Sequence, residues 1–334
     1  MSQWVLGVIG GSGLYDIEAL QDRRTLELAT PWGAPSDTLL QGMLAGVRIV
    51  FLPRHGRGHR IGPSEVNYRA NIAALKMAGC TDIVSVSAVG SLRAQLSPRT
   101  FVIVDQFIDR TFARAKTFFE TGLVGHVSVA EPVCPRLASL MAAAARRAGA
   151  AVVEKGVYIV IEGPQFSTRA ESLLYQSWGC DVIGMTNMPE AKLAREAELP
   201  YASVAMVTDF DCWHLEEKPV EVSQILQCMN DNVAQGRRMI EMLAQSLPAT
   251  RAASAIDTAL EGAIITPPEA RDRRVLEKLR ALSPRAAGPL ERPAGRPIND
   301  FQRAAPHRGE RDLLPLGEPS ANMRVTGRPA GHAG

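Results

Sequence analysis

The 334-residue chain lacks long apolar runs, a marked excess of either charge, and any close pair of cysteines. Its formal net charge is +2, which gives no electrostatic reason to expect a nucleic-acid partner. Its apolar runs fall far short of the roughly 20 residues that cross a bilayer, so we expect no membrane partner. Residues 1–13 also lack the basic start of a secretory signal, which predicts a cytoplasmic protein.

Several catalytic signatures are missing as well. The five cysteines are scattered without the Cys-x-x-Cys spacing of zinc and dithiol sites, and we expect them to be reduced thiols. No Gly-x-Ser-x-Gly elbow is present, which disfavours a hydrolase triad. The glycine-rich loop at residues 10–13 lacks the Gly-Lys-Ser/Thr of a Walker loop and the third glycine of the dinucleotide fingerprint. The sequence therefore indicates neither a metal nor a dinucleotide cofactor.

Aromatic residues are scarce in the last quarter of the chain, where proline is abundant. Phe301 is the only aromatic residue after Pro248, whereas ten of the 22 prolines follow residue 266. Such a segment has too little apolar surface to offset the entropy that is lost on ordering. We therefore predict one folded domain at residues 1–266. The remainder, residues 267–334, is predicted to be a mostly disordered extension rich in Pro, Arg, Ala and Gly, with a helical pattern only at residues 271–282.

Residues 1–266 alternate short apolar runs with stretches of helical periodicity, which is typical of an α/β domain whose strands are buried on both faces. The predicted strands lie at residues 5–9, 47–52, 83–86, 101–104, 157–161, 182–183 and 202–207. The predicted helices lie at residues 65–78, 136–148, 169–178, 189–198 and 220–246. The fold prediction is thus a single α/β domain with a central sheet flanked by helices.

Polar side chains follow these predicted strands at the points where the strands end. They are hydroxyls, an arginine, a histidine and two aspartates: Ser12, Arg54, His55, Ser87, Thr186, Asp209 and Asp211. Small-molecule sites of open α/β sheets lie outside the carboxyl ends of the strands, and the guanidinium fork of arginine matches phosphate geometry. The pattern therefore predicts one pocket that binds an anion. His55 and His59 have the spacing of a metal pair on a helix, but Gly56 and Gly58 disfavour a helix there.

Nine segments of the body together resemble the trimeric nucleoside phosphorylase family. They occur in the order GGSGLYD, PRHGRGH, PSEVNYRANI, SAVGSL, DQFIDRT, AEPVCP, IEGPQFSTRAES, MTNMPEA and TDFDCW. The resemblance extends from about Val5 to Ile265. It implies a mixed α/β domain with a central twisted sheet, assembled as a homotrimer with active sites near the subunit interfaces. It also implies a small nucleoside as substrate and inorganic phosphate as co-substrate, with no cofactor.

The resemblance implies a role for individual residues of this sequence. The residues implied to hold phosphate are Ser12, Arg54, His55, Ser87, Ala88 and Thr186. The residues implied to contact the nucleoside are Met185 below the ribose and Phe166, Asp209, Phe210 and Asp211 around the base. Ser167 in the base pocket, with His126 and Val222 near the 5′ substituent, is implied to set specificity. Asp209 is implied to be the catalytic acid at the imidazole-side ring nitrogen, and Ile264 or Ile265 is a candidate to reach a neighbouring subunit's site.

The two carboxylates at residues 209 and 211 bear on the choice of base. A 6-aminopurine donates a hydrogen to a carboxylate, whereas the acceptor of a 6-oxopurine is better met by the amide of Asn. The expected reaction is therefore phosphorolysis of 5′-methylthioadenosine to adenine and 5-methylthioribose 1-phosphate. Cleavage of methylthioinosine or of 6-oxopurine nucleosides remains an alternative, as does a non-catalytic purine-binding protein.

Overall fold

The computed structural model describes residues 3–11, 13–214 and 222–288. For residues 222–226 it describes the backbone but not the side chains. Nine strands in these ranges belong to one sheet. They are β1 (Val5–Gly10), β2 (Gln21–Leu26), β3 (Leu39–Leu44), β4 (Val47–Pro53), β5 (Asp82–Ser91), β6 (Thr100–Arg110), β7 (Ala151–Ile161), β8 (Val182–Gly184) and β9 (Tyr201–Asp209). Their order is β2-β3-β4-β1-β5-β8-β7-β6-β9, and β9 also pairs with β5.

The sheet is mixed, as the resemblance implies. β1 runs parallel to β4 and β5, and β5 runs parallel to β9, whereas β5 is antiparallel to β8 and β6 is antiparallel to β9. Because β9 pairs with both β5 and β6, the strands β5, β8, β7, β6 and β9 form a closed ring of pairings. The register of β5 and β9 places Gly90 beside Asp209, so the residues that follow Ser87 meet the two aspartates at one end of the sheet.

Seven α-helices occur in the described part of the chain: α1 (Tyr68–Met77), α2 (Pro135–Arg147), α3 (Arg169–Ser177), α4 (Asn187–Glu196), α5 (Val222–Ser246), α6 (Arg273–Arg280) and α7 (Pro284–Ala287). Their starts follow ordinary capping chemistry. Asn67 accepts a hydrogen bond from the backbone of Ala70 before α1, and Thr168 forms a capping box with Glu171 at the start of α3. No described helix is long and apolar enough to cross a membrane.

The central strands are buried on both faces, as alternate residues of β1 show. Leu6 and Val8 belong to a core cluster that α2 and α5 cover with residues such as Leu137 and Ile240. Ile9 points to the opposite face, where α1 and α4 contribute to the second cluster. This two-sided burial explains why the strands have continuous apolar runs rather than alternating patterns. The α/β fold prediction is confirmed.

The packed part of the chain extends past the predicted domain end at residue 266. Helix α6 buries Val275 and Leu279 in the second core cluster, and Lys278 forms an ion pair of 2.8 Å with Glu120. All described residues belong to one compact unit. The rest of the predicted extension, residues 289–334, lies outside the described residues, so its disorder stays a prediction.

Candidate active site

A cavity of about 660 Å³ opens at one end of the sheet. Its walls come from the segments that end β1, β4, β7, β8 and β9, from the far half of β5, and from one face of α5. The predicted site residues that line it are Arg54, His55, Ser87, Ala88, Phe166, Ser167, Met185, Thr186, Asp209 and Asp211. Sequence motifs that are far apart in the chain therefore converge on one cavity, as the positions at strand ends predicted.

Four of the predicted residues are not among those that line this cavity in the described chain. Phe210 turns away and stacks on His214, with ring centroids 4.9 Å apart. His126 is exposed on a separate surface, where its backbone N–H donates to the carbonyl of Ala263 at 2.9 Å. Ser12 and the side chain of Val222 lie outside the described residues.

Arg54 is the most buried charge of the cavity wall, with 2% of its side chain exposed. Its Nε and Nη2 form two hydrogen bonds with the carboxylate of Glu190, at 2.8 and 3.1 Å. Nη2 also donates to Ser85 Oγ, and Nη1 donates to the carbonyl of Val86. One hydrogen of Nη1 is left without an acceptor among the described residues. Burial alone would lower the pKa of Arg54, but Glu190 raises it above its ordinary value, so the pair stays ionised.

His55 presents an uncharged ring to the cavity. Burial and the neighbouring Arg54 lower the pKa of His55 to about 4. Its Nδ1 lies 2.9 Å from the carbonyl oxygen of Ile61, which can only accept, so Nδ1 carries the hydrogen and Nε2 is an acceptor. With His55 neutral and Arg54 balanced by Glu190, neither predicted phosphate-binding residue contributes an unbalanced positive charge near pH 7.

Neutral donors make up the other wall of this subsite. Ser87 lies in β5 with its hydroxyl buried and without a hydrogen-bond partner among the described residues. Thr186 also lines the cavity. The extended backbone of Met188 (φ −119°, ψ 131°) interrupts α4 shortly after Thr186, so the hydroxyl of Thr186, and not a helix dipole, is the group available to an anion. The backbone of Ala88 follows Ser87 in the same wall. This arrangement suits a small oxyanion that is held mainly by hydrogen bonds.

The two predicted aspartates line the cavity at the end of β9 and just after it. Asp209 Oδ1 accepts a hydrogen bond of 2.8 Å from the backbone N–H of Asp211. Asp211 Oδ2 accepts hydrogen bonds from Ser172 at 2.5 Å and from Ser167 at 3.1 Å, while burial raises the pKa of Asp211. Its Oδ1 is thereby left to accept from a ligand. Ser172, which sequence reasoning did not select, lies in the quoted segment IEGPQFSTRAES.

Arg114 fixes the segment that carries Met185, a role that no sequence motif predicted. It donates to the carbonyl oxygens of Met185 at 2.6 Å, of Met188 at 2.7 Å and of Glu162 at 2.6 Å. The Glu162 carboxylate balances its charge at 3.1 Å. Burial would raise the pKa of Glu162, but hydrogen bonds from Ser64 and two backbone N–H groups, together with Arg114, lower it to about 2. The Met185 turn is therefore held by a permanently charged, buried group.

Within the described ranges, no three His, Cys, Asp or Glu side chains lie close enough together to hold a metal ion. Glu190 is a third residue that the sequence reasoning missed. It lies in the quoted segment MTNMPEA, but its contact with Arg54 joins residues 136 positions apart. Only the folded chain reveals that contact.

Comparison of sequences places the chain in a known family. Residues 5–244 match the model of the phosphorylase superfamily. The S-methyl-5′-thioadenosine phosphorylase of Cereibacter sphaeroides is 56% identical over 283 residues, which cover 84% of this chain and 98% of that protein. The enzyme of the same name from Geobacter sulfurreducens is 54% identical over 276 residues, covering 82% and 96% of the two chains.

Solved structures are also similar to the chain. The crystal structure of a methylthioadenosine phosphorylase from an antarctic soil metagenomic library has a TM-score of 0.80 and 48% identity, and the match covers 84% of this chain and 99% of that one. Methylthioadenosine phosphorylase from Schistosoma mansoni, in complex with adenine, has a TM-score of 0.68 and 40% identity over 72% of this chain and 91% of its own.

Proposed function

Because the chain belongs to the phosphorylase superfamily, we propose that it cleaves 5′-methylthioadenosine with inorganic phosphate, giving adenine and 5-methylthioribose 1-phosphate. The observation that carries this proposal is the composition of the cavity. Arg54, Ser87 and Thr186, which suit an oxyanion, line the same cavity as the carboxylates of Asp209 and Asp211, and its volume of about 660 Å³ can hold a nucleoside. A protein that merely binds purines has no need for the oxyanion subsite.

The phosphate end of the cavity supplies hydrogen bonds without excess charge. Ser87, Thr186, the Ala88 backbone and the remaining Nη1 hydrogen of Arg54 donate to phosphate oxygens. Neutral His55 accepts the hydrogen of a protonated phosphate oxygen through Nε2. Because Arg54 and Glu190 neutralise each other, phosphate retains enough negative charge to attack the anomeric carbon as the glycosidic bond breaks.

The base end of the cavity stabilises the departing purine. Negative charge develops on the purine as the bond breaks, and groups that bind this charge more strongly in the transition state accelerate the reaction. Asp209 shares a proton with the imidazole-side ring nitrogen as a general acid. Asp211 accepts from the exocyclic amino group through Oδ1, because Ser167 and Ser172 already occupy its Oδ2. This division of roles favours a 6-aminopurine.

An apolar wall faces the sugar. Met229 and Val233 of α5 line the cavity together with Leu14 and Met206. Burying the methylthio group against these side chains is favourable, whereas the 5′-hydroxyl of adenosine would lose water on packing against them. Met185, held in place by Arg114, forms the floor below the ribose. We therefore expect the 5′-methylthio nucleoside to be preferred over adenosine.

A homotrimer is part of the proposal. His126 and Ile264 are joined in one surface segment, since Gly125 bridges to Ile264 and the carbonyl of Val124 accepts from Ile265. This segment is separate from the cavity of its own chain, so His126 and Ile264 or Ile265 can act on substrate only in a neighbouring subunit. Light scattering coupled to gel filtration tests the trimer, and a monomer with full activity would contradict it.

The five cysteines are all unpaired, which supports the proposed cytoplasmic location.

Comparing four nucleosides on the purified full-length protein tests the proposed function. With saturating phosphate, release of the free base is measured for 5′-methylthioadenosine, methylthioinosine, adenosine and inosine. The expected order of kcat/KM places 5′-methylthioadenosine first. Faster cleavage of the two oxopurine nucleosides would instead support the 6-oxopurine alternative. Binding of 5′-methylthioadenosine without phosphate-dependent release of adenine would leave a purine-binding protein.

A further inference from the structure

Two hydroxyl groups at the oxyanion subsite have no hydrogen-bond partner among the described residues. One is Ser87 Oγ, in the cavity wall, and the other is the hydroxyl of Tyr158 in β7, which lies against Gly184 of the same wall. The Tyr158 side chain is fully buried. Buried polar groups in folded proteins are nearly always paired, so two neighbouring exceptions at one binding site call for a functional explanation.

Gly184 provides the space that the Tyr158 hydroxyl occupies. The parallel register of β7 and β8 pairs Tyr158 with Val182 and Val160 with Gly184. A Cβ atom at residue 184 would overlap the Tyr158 hydroxyl oxygen and lie 2.8 Å from Cζ of the ring. Gly184 itself lines the cavity. A side chain at this position would therefore push the phenol away from the cavity wall.

The surroundings of Tyr158 define what its hydroxyl can do. Burial raises the pKa of Tyr158, while the neighbouring hydroxyls of Ser87 and Thr186 and the charge of Arg54 act in the opposite direction. The phenol therefore keeps its hydrogen near neutral pH and is a donor. Tyr158 does not line the cavity, so it acts on a ligand through the side chains in front of it.

We propose that Tyr158 is a positioning residue for phosphate. The two hydroxyls are not hydrogen-bonded to each other in this structure; when the anion binds, the Ser87 hydroxyl turns so that it accepts the hydrogen of Tyr158 and directs its own single hydrogen toward the anion. A hydroxyl that accepts one hydrogen bond and donates another is polarised, and the chain of donors from Tyr158 through Ser87 strengthens the last bond to phosphate. The inference rests on the proposed function, because it assigns the oxyanion of this cavity to phosphate.

The Tyr158→Phe variant tests this role by removing only the hydroxyl. We expect KM for phosphate to rise about 3- to 10-fold while KM for 5′-methylthioadenosine stays unchanged. Tyr175→Phe is the matched control, since Tyr175 is also buried but packs with Trp178 behind α3. Its two KM values should equal those of the wild type. A general loss of structural order would raise both the KM for phosphate and the KM for 5′-methylthioadenosine. An unchanged KM for phosphate in Tyr158→Phe would overturn the proposal.

A double-mutant cycle separates the relay from a direct effect. If Tyr158 acts through Ser87, adding Tyr158→Phe to Ser87→Ala should not raise KM for phosphate any further. A full additional increase would overturn the relay. Gly184→Ala would displace the Tyr158 hydroxyl without removing it, and should therefore also raise KM for phosphate. An unchanged phosphate KM in that variant would contradict the role of the glycine.

A thermal-shift titration with inorganic phosphate alone keeps this inference distinguishable from the proposed function. Phosphate should raise Tm of the wild type, and the concentration that gives half of this rise should be higher for Tyr158→Phe. This readout requires no nucleoside. Absence of adenine release by a wild type that binds phosphate would refute the proposed substrate alone. Identical phosphate titrations of the two proteins would refute the role of Tyr158 alone.

Discussion

The hydroxyl of Thr208 lies 2.7 Å from Oδ2 of Asp209, and the carbonyl oxygen of Val89 lies 3.1 Å from the same hydroxyl. A hydroxyl has one hydrogen to donate, and it also accepts. When Asp209 is ionised, Thr208 donates to it. When Asp209 is protonated, its O–H can donate to the Thr208 hydroxyl, which then donates to the carbonyl oxygen of Val89 instead. The pair therefore suits a carboxyl that gains and loses a proton during turnover.

Asp209→Asn removes the exchangeable proton and keeps the shape of the side chain. We expect kcat for 5′-methylthioadenosine to fall about 10²- to 10⁴-fold, the usual contribution of a general acid. Steady-state rates at saturating phosphate provide the measurement. Asp22→Asn, at an exposed position in β2, is the matched control and should leave kcat unchanged. A folded Asp209→Asn variant with the wild-type rate would exclude Asp209 as the acid.

Thr208→Val tests the proton-sharing arrangement, because valine keeps the branched shape and loses the hydroxyl. The lost hydrogen bond to a charged group predicts a decrease in kcat of about 10-fold. Thr208→Ser restores the hydroxyl and should recover most of the rate. Measuring Tm of both variants separates catalysis from stability. Equal kcat values for the valine and serine variants would show that the Thr208 hydroxyl takes no part.

Asp211→Asn should shift the preference between bases. The two serine donors at Oδ2 select the orientation in which the Asn oxygen takes that position, and its NH₂ then replaces Oδ1 facing the base. An amide donor repels the amino group of adenine and matches a 6-oxo group. We expect the ratio of kcat/KM for 5′-methylthioadenosine to that for methylthioinosine to fall about 10- to 100-fold. An unchanged ratio would mean that Asp211 does not contact the 6-position.

The buried pair of Arg54 and Glu190 predicts a large loss of stability when one charge is removed. Glu190→Gln leaves a buried guanidinium without its counter-charge, which should lower the free energy of unfolding by about 3–5 kcal/mol. The exposed pair of Arg99 and Asp231 offers a matched control. Asp231→Asn should leave the free energy of unfolding nearly unchanged, because solvent screens that pair. Urea denaturation at pH 7 compares the two, and losses of equal size would contradict the argument.

Much of the fold was predictable because each predicted strand is a short run of mostly apolar residues. All seven predicted strands and all five predicted helices are present, with β5, β6 and β7 longer than expected. The missed strands β2 and β3 have no such run. Five of the six residues of β2 are exposed, since it lies at the edge of the sheet, and β3 is interrupted by Gln41 and Gly42. Strands that pack on only one side leave little trace in the sequence.

The candidate site was predictable in its position but not in its electrostatics. Motifs at strand ends pointed to Arg54 and His55 as anion-binding groups, and both line the cavity. The sequence did not reveal that Glu190 balances Arg54, or that burial keeps His55 neutral. Both properties depend on contacts between distant segments and on exclusion of water, which no local pattern encodes.

Glu196 at the end of α4 makes stability depend on pH. Burial raises its pKa to about 7, despite hydrogen bonds from the backbone of Phe118 and the hydroxyl of Thr117. Between the unfolded value of 4.5 and about 7 the folded chain binds more protons, so stability falls as pH rises through this window. Glu196→Gln should therefore stabilise the protein by about 1–3 kcal/mol at pH 8 and by much less at pH 4.5. Urea titrations at both pH values and one protein concentration measure this difference. The exposed Glu154→Gln should show none, and an equal effect of Glu196→Gln at both pH values would contradict a raised pKa.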